Sequence, residues 1–218
     1  MEAFYRKYII SLRDRVRVAC TVLVALLCCQ SAAAQDVGLI TAAGQREMLN
    51  APGTPSVGAR DADLSIVEYL DYSCPYCKKF APELQQLLAR DPKIALIYKD
   101  WPILSEVSVY AARAALAAQW EGRYLAAHDA LMREPKLADD AAVDRTLEHA
   151  GFDLTALRKD AALHGADIDA LLARNAAEAQ ALSLRGTPGV VIGRLLLAGT
   201  VDLSGLTQLV AQARKTPP

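Results

Sequence analysis

The sequence predicts an α/β fold that carries a long helical insertion, and three observations support this prediction. A strand–helix–strand pattern occupies residues 64–101, an alanine-rich and almost wholly helical segment runs from 105 to 184, and two short apolar runs follow Pro188. The first pattern is typical of a β–α–β unit, and the two apolar runs are typical of a hairpin. We therefore expect a sheet whose two halves are separated in sequence by the insertion.

The first half of this fold has the clearest signals. Residues 64–72, "LSIVEYLDY", are rich in β-branched and aromatic residues and indicate a buried strand. The segment 74–90 predicts a helix because its apolar residues recur at helical spacing, at Phe80, Leu84, Leu87 and Leu88. Residues 94–101 predict the next strand, and Ser105 is a candidate N-cap for the helix that follows.

The remaining segments complete the predicted organisation. Residues 35–60 are rich in glycine and proline, so we expect a mostly irregular arm with one short helix near 45–49. After the insertion, the hairpin and a closing helix end the fold. The predicted parts are a signal peptide, the arm, a first half of the fold, the insertion and a second half, at residues 1–34, 35–60, 61–104, 105–184 and 185–218.

Residues 1–34 have the features of a secretory signal peptide. A basic stretch is followed by an uncharged apolar run from Val18 to Cys29, and Ala32 and Ala34 fit an A-x-A cleavage site. The apolar run is about 12 residues long, shorter than the roughly 20 that a membrane-spanning helix needs. We therefore expect cleavage after Ala34, with an uncleaved membrane anchor or a buried core helix as the alternatives.

Composition limits the classes of function. The chain is 53% apolar and 22% charged, which is typical of a globular protein. Its formal net charge of −1 gives no basic field, so no nucleic-acid partner is expected. The three histidines are far apart in sequence and are predicted to be ordinary helix-surface or core-edge residues, at positions His128, His149 and His164. Neither a metal nor an organic cofactor is expected.

Cleavage would leave Cys74 and Cys77 as the cysteines of the mature chain, because Cys20, Cys28 and Cys29 precede the cleavage site. A structural zinc site needs four ligands and usually a second cysteine or histidine pair, which this sequence does not offer. A structural disulfide across so short a loop would constrain the unfolded chain very little. The interpretation left is a dithiol that cycles between thiol and disulfide in an oxidising compartment.

The position of the two cysteines supports this interpretation. Cys74 lies where the predicted helix begins, and Pro75 is a residue that the first helical turn tolerates. The unpaired N–H groups and the dipole of a helix N-terminus stabilise a thiolate, so the pKa of Cys74 is expected below the free value of about 8.5. Cys77, one turn into the helix, is expected to be more buried.

The strand, the C-P-Y-C motif at a helix start and the distant "RGTPGVVIGRLLLAG" resemble the thioredoxin superfamily, and specifically its secreted DsbA-like thiol–disulfide oxidoreductases. The resemblance covers most of residues 49–213. It implies a thioredoxin fold with a helical insertion domain, a redox centre made only of the two cysteines, and a periplasmic location.

The resemblance also assigns roles to the cysteines and to the segment before the hairpin. Cys74 would be the attacking thiolate and Cys77 the resolving thiol. Pro188 would match the cis-proline that packs opposite the two sulfurs, and Thr187 would offer backbone groups to an extended substrate peptide. Taken alone, Pro188 in "GTPG" would indicate a plain turn proline.

Four further residues complete the expected site. Glu68 matches a buried acid that could relay protons to and from Cys77, although a solvent-facing strand position is the alternative. Lys99 is a possible ion-pair partner of Glu68. Pro75 and Tyr76, between the cysteines, are expected to contact substrate and to tune the redox potential.

These residues together predict a periplasmic thiol–disulfide oxidoreductase that donates the Cys74–Cys77 disulfide to unfolded secreted proteins and is reoxidised by a membrane redox partner. A reductase or isomerase kept reduced by a membrane donor is one alternative, because threonine before the cis-proline also occurs in isomerase-like relatives. A chaperone-like binding module with an incidental dithiol is the other. The arm at 35–60 lacks a long helical stalk, which favours a monomer.

Overall fold

A mixed β-sheet forms the centre of the structure, a computed structural model that describes residues 37–49, 51–59 and 61–216. Its strands are β1 (Val37–Leu39), β2 (Ser56–Gly58), β3 (Leu64–Leu70), β4 (Ile94–Asp100), β5 (Gly189–Ile192) and β6 (Leu195–Ala198). They lie in the order β1-β6-β5-β3-β4-β2, and β3 and β4 are the parallel pair. The predicted signal peptide, residues 1–34, lies outside the described residues.

Helices connect and cover these strands. They are α1 (Ala42–Leu49), α2 (Pro75–Arg90), α3 (Glu106–Ala117), α4 (Tyr124–Arg133), α5 (Asp140–His149), α6 (Leu154–Leu163), α7 (Gly165–Ala181) and α8 (Leu203–Ala213). The chain forms α3 to α7 between β4 and β5, so a helical insertion separates the two halves of the sheet, as predicted. Ser105 caps α3 by accepting a hydrogen bond from the amide of Ser108, also as predicted.

Alternation along β3 sends its side chains to two different cores. Leu64, Ile66 and Leu70 belong to the larger core, which α2, α8 and most of the insertion helices also build. Val67 and Tyr69 face the other way, into a smaller core shared with α1 and α7. This alternation decides which polar residues of β3 and β4 lie beneath the cysteines.

The expectation of a mostly irregular arm at 35–60 is wrong for the described part of that segment. It contains β1, the eight-residue helix α1 and β2. The short strands pair antiparallel with β6 and β4 at the two edges of the sheet. Ladder hydrogen bonds to strands distant in sequence stabilise these segments, so local glycine and proline signals were misleading.

Candidate functional site

The two cysteines lie at the start of α2, directly after the loop that leaves β3. Cys74 is the N-cap residue, with φ −75° and ψ 117°, and its amide donates to the carbonyl of Asp71 at 3.0 Å. Pro75 occupies the first turn, where its missing N–H costs no helical hydrogen bond. Cys77 lies one turn further on, and both residues are buried free thiols. The start of the helix thus places the two side chains within hydrogen-bonding distance of each other.

The environment of Cys74 favours its thiolate. The hydrogen bond from the Cys77 side chain is the main cause that lowers the pKa of Cys74, to about 5, although burial acts against it. Thr187 and the backbone N–H groups of Tyr76 and Cys77 lower this pKa further. These last two donors belong to the first turn of α2, so the expected effect of a helix N-terminus is part of the shift.

Cys77 has the opposite character. Its hydrogen bond to Cys74 is the main cause that raises its pKa above the ordinary value, and burial and the nearby Glu68 carboxyl raise it further. The two sulfurs are therefore chemically unequal, with a ready thiolate at Cys74 and a protonated thiol at Cys77. This inequality is what a pair needs if one sulfur forms mixed disulfides and the other resolves them.

The segment before β5 faces the same sulfur. The Thr187–Pro188 peptide bond is cis, and Pro188 is buried. The Cys74 sulfur lies 3.2 Å from the carbonyl oxygen of Thr187, to which it donates a hydrogen bond in its protonated form. Pro188 accepts a hydrogen bond from the amide of Gly199, which ties this loop to the end of the hairpin. The loop therefore presents its backbone directly beside the reactive sulfur.

Glu68 lies beneath the cysteines rather than at the surface. It is fully buried on the α2 face of β3, because it shares that face with Ile66 and Leu70. Neither carboxyl oxygen has a hydrogen-bond partner among the described residues. Burial is the main cause that raises the pKa of Glu68 to about 8, followed by the charges of Asp100 and Cys74. A carboxyl group in this state holds a proton near the cysteines at neutral pH.

Lys99 does not pair with Glu68, so that interpretation was wrong. Lys99 pairs in the ladder with Tyr69, and both side chains lie on the opposite face of the sheet. There the ammonium group of Lys99 lies 2.9 Å from Glu178 of α7, which also accepts a hydrogen bond from Tyr69. Side-chain alternation along β3 and β4 separates Lys99 from Glu68, as the sequence pattern would have indicated.

Two buried carboxyl groups near the cysteines were not predicted from the sequence. Asp71 is buried and accepts hydrogen bonds from the amides of Ser73, Ile103 and Leu104, which holds the cysteine loop against the loop after β4. Asp100 at the end of β4 is buried on the same face as Glu68. A charged residue at an inward position of a buried strand was the available signal.

His128 is another correction, because it is neither at the helix surface nor at the edge of the core. It is buried in an aromatic cluster with Tyr72, Tyr98 and Tyr124, and its Nδ1 lies 3.2 Å from the Tyr72 hydroxyl. Burial and the charge of Lys78 lower its pKa to about 3. His128 is therefore a neutral hydrogen-bonding residue of the core.

The outer surface of the site is formed by the residues between the cysteines. Pro75 and Tyr76 are exposed, and Tyr76 keeps 62% of its surface in contact with solvent.

Among the described residues, no group of three or more histidine, cysteine or acidic side chains is placed to hold a metal ion. In the same part of the chain, no helix is long and apolar enough to cross a membrane.

A protein-family model described as thioredoxin matches residues 50–212. The chain also matches curated sodium/proton antiporters, for example NhaA 3 of Salinispora tropica, with 29% identity over 161 residues. That match spans 72% of this chain but only 24% of the antiporter. The chain therefore corresponds to about a quarter of the length of the curated relatives it matches.

Solved structures give longer matches. A thioredoxin-like oxidoreductase from Silicibacter pomeroyi is 40% identical with a TM-score of 0.75, covering 79% of this chain and 99% of that one. The thiol–disulfide exchange protein alpha-DsbA2 from Wolbachia pipientis is 26% identical with a TM-score of 0.73, covering 78% and 92%. A periplasmic thioredoxin-like protein from Salmonella enterica serovar Typhimurium is 28% identical with a TM-score of 0.68, covering 82% and 100%. These matches confirm the predicted thioredoxin fold with its helical insertion and the resemblance to DsbA-like proteins.

Proposed function

Because this chain belongs to the thioredoxin family, we propose that it is a thiol–disulfide oxidoreductase and works as an oxidase, donating the Cys74–Cys77 disulfide to cysteines of exported proteins. The observation that carries this proposal is the position of Cys74 at the N-terminus of α2, where the Cys77 side chain and backbone N–H groups lower its pKa to about 5. A stabilised thiolate favours the reduced form of the pair, so the disulfide is a stronger oxidant. The pKa lies between the values of about 7 for thioredoxin and about 3.5 for DsbA.

In the proposed reaction, a substrate thiolate attacks the sulfur of Cys74 in the disulfide. The Cys74–Cys77 bond breaks, a mixed disulfide forms, and Cys77 leaves with the electron pair. A second substrate thiolate then attacks the substrate sulfur of the mixed disulfide and releases Cys74 as a thiolate. Two electrons pass from the substrate to the cysteine pair, and the substrate gains one disulfide.

Glu68 supplies the proton that this reaction needs. Cys77 leaves as a thiolate in a buried position, where its negative charge is unfavourable. The Glu68 carboxyl is protonated until about pH 8 and lies close enough for its charge to raise the pKa of Cys77. Glu68 therefore donates a proton to Cys77 as the disulfide opens and accepts it when the disulfide forms again.

Substrate binding is assigned to the surface around Cys74. The backbone of Thr187, 3.2 Å from the Cys74 sulfur, is placed to hydrogen-bond an extended peptide, and buried Pro188 follows it directly. Tyr76 and Pro75 are exposed next to the reactive sulfur and offer apolar contact to a polypeptide. Such contacts do not select one sequence, which suits a protein that acts on many unfolded chains.

The proposed location is the periplasm, where an oxidised pair is stable. Two findings support this location: residues 1–34 have the features of a signal peptide, and the chain is similar to a periplasmic thioredoxin-like protein from Salmonella enterica. Each turnover leaves the pair reduced, so an external oxidant must restore the disulfide, and we assign this step to a membrane redox partner. The protein is proposed to act as a monomer.

The equilibrium redox potential of the Cys74–Cys77 pair against glutathione tests this direction of transfer. An oxidase is expected well above the value of about −270 mV that is typical of thioredoxin, toward the value of about −120 mV of DsbA. A thioredoxin-like potential would contradict the oxidase and favour a reductase or isomerase that a membrane donor keeps reduced.

The Cys74→Ala variant tests the alternative of a chaperone-like binding module. An enzyme loses all disulfide transfer in this variant, whereas a chaperone continues to suppress aggregation.

A further inference from the structure

Asp100 is a second buried carboxyl group on the face of the sheet that supports the cysteines. In the parallel ladder, Glu68 of β3 pairs with Tyr98 of β4, and Asp100 follows two residues later on the same face. Asp100 is 1% exposed and Glu68 is fully buried. Two acidic groups this close in an apolar interior cannot both ionise without strong repulsion. Their hydrogen bonds therefore decide which group carries the charge.

A chain of hydrogen bonds ends on Asp100. Tyr124 donates to its Oδ2 at 2.9 Å, and the Tyr72 hydroxyl donates to that of Tyr124 at 3.4 Å. Tyr72 in turn lies 3.2 Å from Nδ1 of His128, which completes the chain when this nitrogen carries the proton of the neutral ring. Each hydroxyl or N–H group then donates in the direction of the carboxylate, and the hydrogen bonds of such a chain strengthen one another by polarisation.

Glu68 has no comparable support. Both of its oxygens lack a hydrogen-bond partner among the described residues, so nothing compensates a negative charge there. We propose that Asp100 is a positioning residue for disulfide exchange: it takes the negative charge of the pair and thereby keeps the proton on Glu68, beneath the cysteines. This proposal rests on the proposed function, because it concerns the proton that Cys77 receives.

The charged and titratable groups around the pair agree with this assignment. Burial raises the pKa of Asp100 to about 7, whereas the hydrogen bond from Tyr124, with Tyr72 behind it, lowers it and the charge of Asp71 raises it. Burial raises the pKa of Glu68 as well, and Glu68 has no hydrogen-bond donor among the described residues, so it ionises after Asp100.

Side chains of β4, α2 and α7 also surround the two carboxyl groups. Tyr98 of β4 is the ladder partner of Glu68, and burial raises its pKa so that it stays neutral. From α2, Cys74 and Cys77 face Glu68, and Lys78 acts on His128. From α7, Asn175 donates to the backbone carbonyl of Asp100 rather than to its carboxyl group.

The test follows the carboxyl carbons of Glu68 and Asp100 by NMR during a pH titration of the reduced full chain. In Asp100→Asn, the midpoint of Glu68 is expected to fall by about one pH unit, because the neighbouring charge is gone. The matched control is Glu178→Gln, which alters a carboxyl group against β4 on the opposite face and is expected to leave that midpoint in place. An unchanged Glu68 midpoint in folded Asp100→Asn would overturn the proposal, as would Glu68 ionising before Asp100 in the parent protein.

Tyr124→Phe keeps the proposal testable if Asp100→Asn does not fold. Loss of the hydroxyl donor is expected to raise the midpoint of Asp100 toward that of Glu68, and an unchanged Asp100 midpoint would overturn the proposal. The titration does not depend on catalysis, so it separates this proposal from the proposed function. A protein that titrates as expected but transfers no disulfide would contradict only the oxidase, and the pH dependence of transfer shifts with Glu68 if both are correct.

Discussion

The thiol of Cys74 lies 3.2 Å from the backbone carbonyl of Thr187, although 113 residues separate them in sequence. Cys74 follows β3 in the first half of the fold, whereas Thr187 precedes β5 in the second half. Because β3 and β5 pair antiparallel, the C-terminal end of β3 and the N-terminal end of β5 lie side by side. Both halves of the fold therefore contact the reactive sulfur, although the helical insertion separates them in sequence.

The hydrogen bond between the cysteines makes a first prediction. It is the main cause that lowers the pKa of Cys74 to about 5, so Cys77→Ala is expected to raise this pKa by about 1 to 2 units. The rate of Cys74 alkylation, measured against pH, reports the thiolate directly. The midpoint of that curve should move toward neutral pH in the variant.

Cys77→Ser is the matched control for this experiment. It removes the resolving sulfur as alanine does, but its hydroxyl can still donate to the Cys74 thiolate. Its alkylation midpoint should therefore stay closer to that of the parent protein. Equal midpoints in the alanine and serine variants would show that Cys77 does not stabilise the thiolate through hydrogen bonding.

Buried Glu68 predicts a pH-dependent loss of stability. Folding raises its pKa from 4.5 to about 8, so the folded state binds the proton more tightly than the unfolded chain. The contribution of Glu68 is therefore fully favourable below 4.5 and is lost as the pH rises toward 8, at up to about 1.4 kcal/mol per pH unit. Urea unfolding at a series of pH values should show a steeper decline for the parent protein than for Glu68→Gln. Parallel curves for the two proteins would contradict this account.

The ion pair on the opposite face predicts a change in stability without a change in chemistry. Lys99 is fully buried and 2.9 Å from Glu178, so Lys99→Met leaves a carboxylate without its counter-ion. We expect a loss of about 3 to 5 kcal/mol in the free energy of unfolding, with unchanged disulfide transfer per folded molecule. The double variant Lys99→Met/Glu178→Leu should recover much of the loss. A changed Cys74 pKa in folded Lys99→Met would show that the two faces are coupled.

Exposed Tyr76 predicts the converse, a change in substrate use without a change in stability. Tyr76→Ala removes an apolar contact next to Cys74 but little buried surface, so the free energy of unfolding should change by less than about 0.5 kcal/mol. The rate of disulfide transfer to an unfolded polypeptide should fall, while transfer to a small thiol should not. Leu163→Ala, an exposed apolar residue of α6, is the control expected to change neither.

The strand and helix around the cysteines were predictable because their signals are local. β-Branched and aromatic residues indicated β3, apolar residues at helical spacing indicated α2, and the proline after Cys74 fitted the helix start. The edge strands β1 and β2 were not predicted, because three-residue strands have too little pattern and depend on ladder partners distant in sequence. Lys99 was considered as a possible partner of Glu68, although strand alternation places the two side chains on opposite faces of the sheet.

The sequence by itself determined the dithiol, its place at a helix N-terminus and the α/β class with its insertion, since each depends on neighbours within a few residues. Only the tertiary structure decided that Glu68 lacks hydrogen-bond donors within the described part of the chain while Asp100 ends a chain of them, and that Thr187 meets Cys74. Proton affinity in a protein interior depends on burial and on neighbouring charges and donors. Those neighbours come from strands and helices that folding alone brings together.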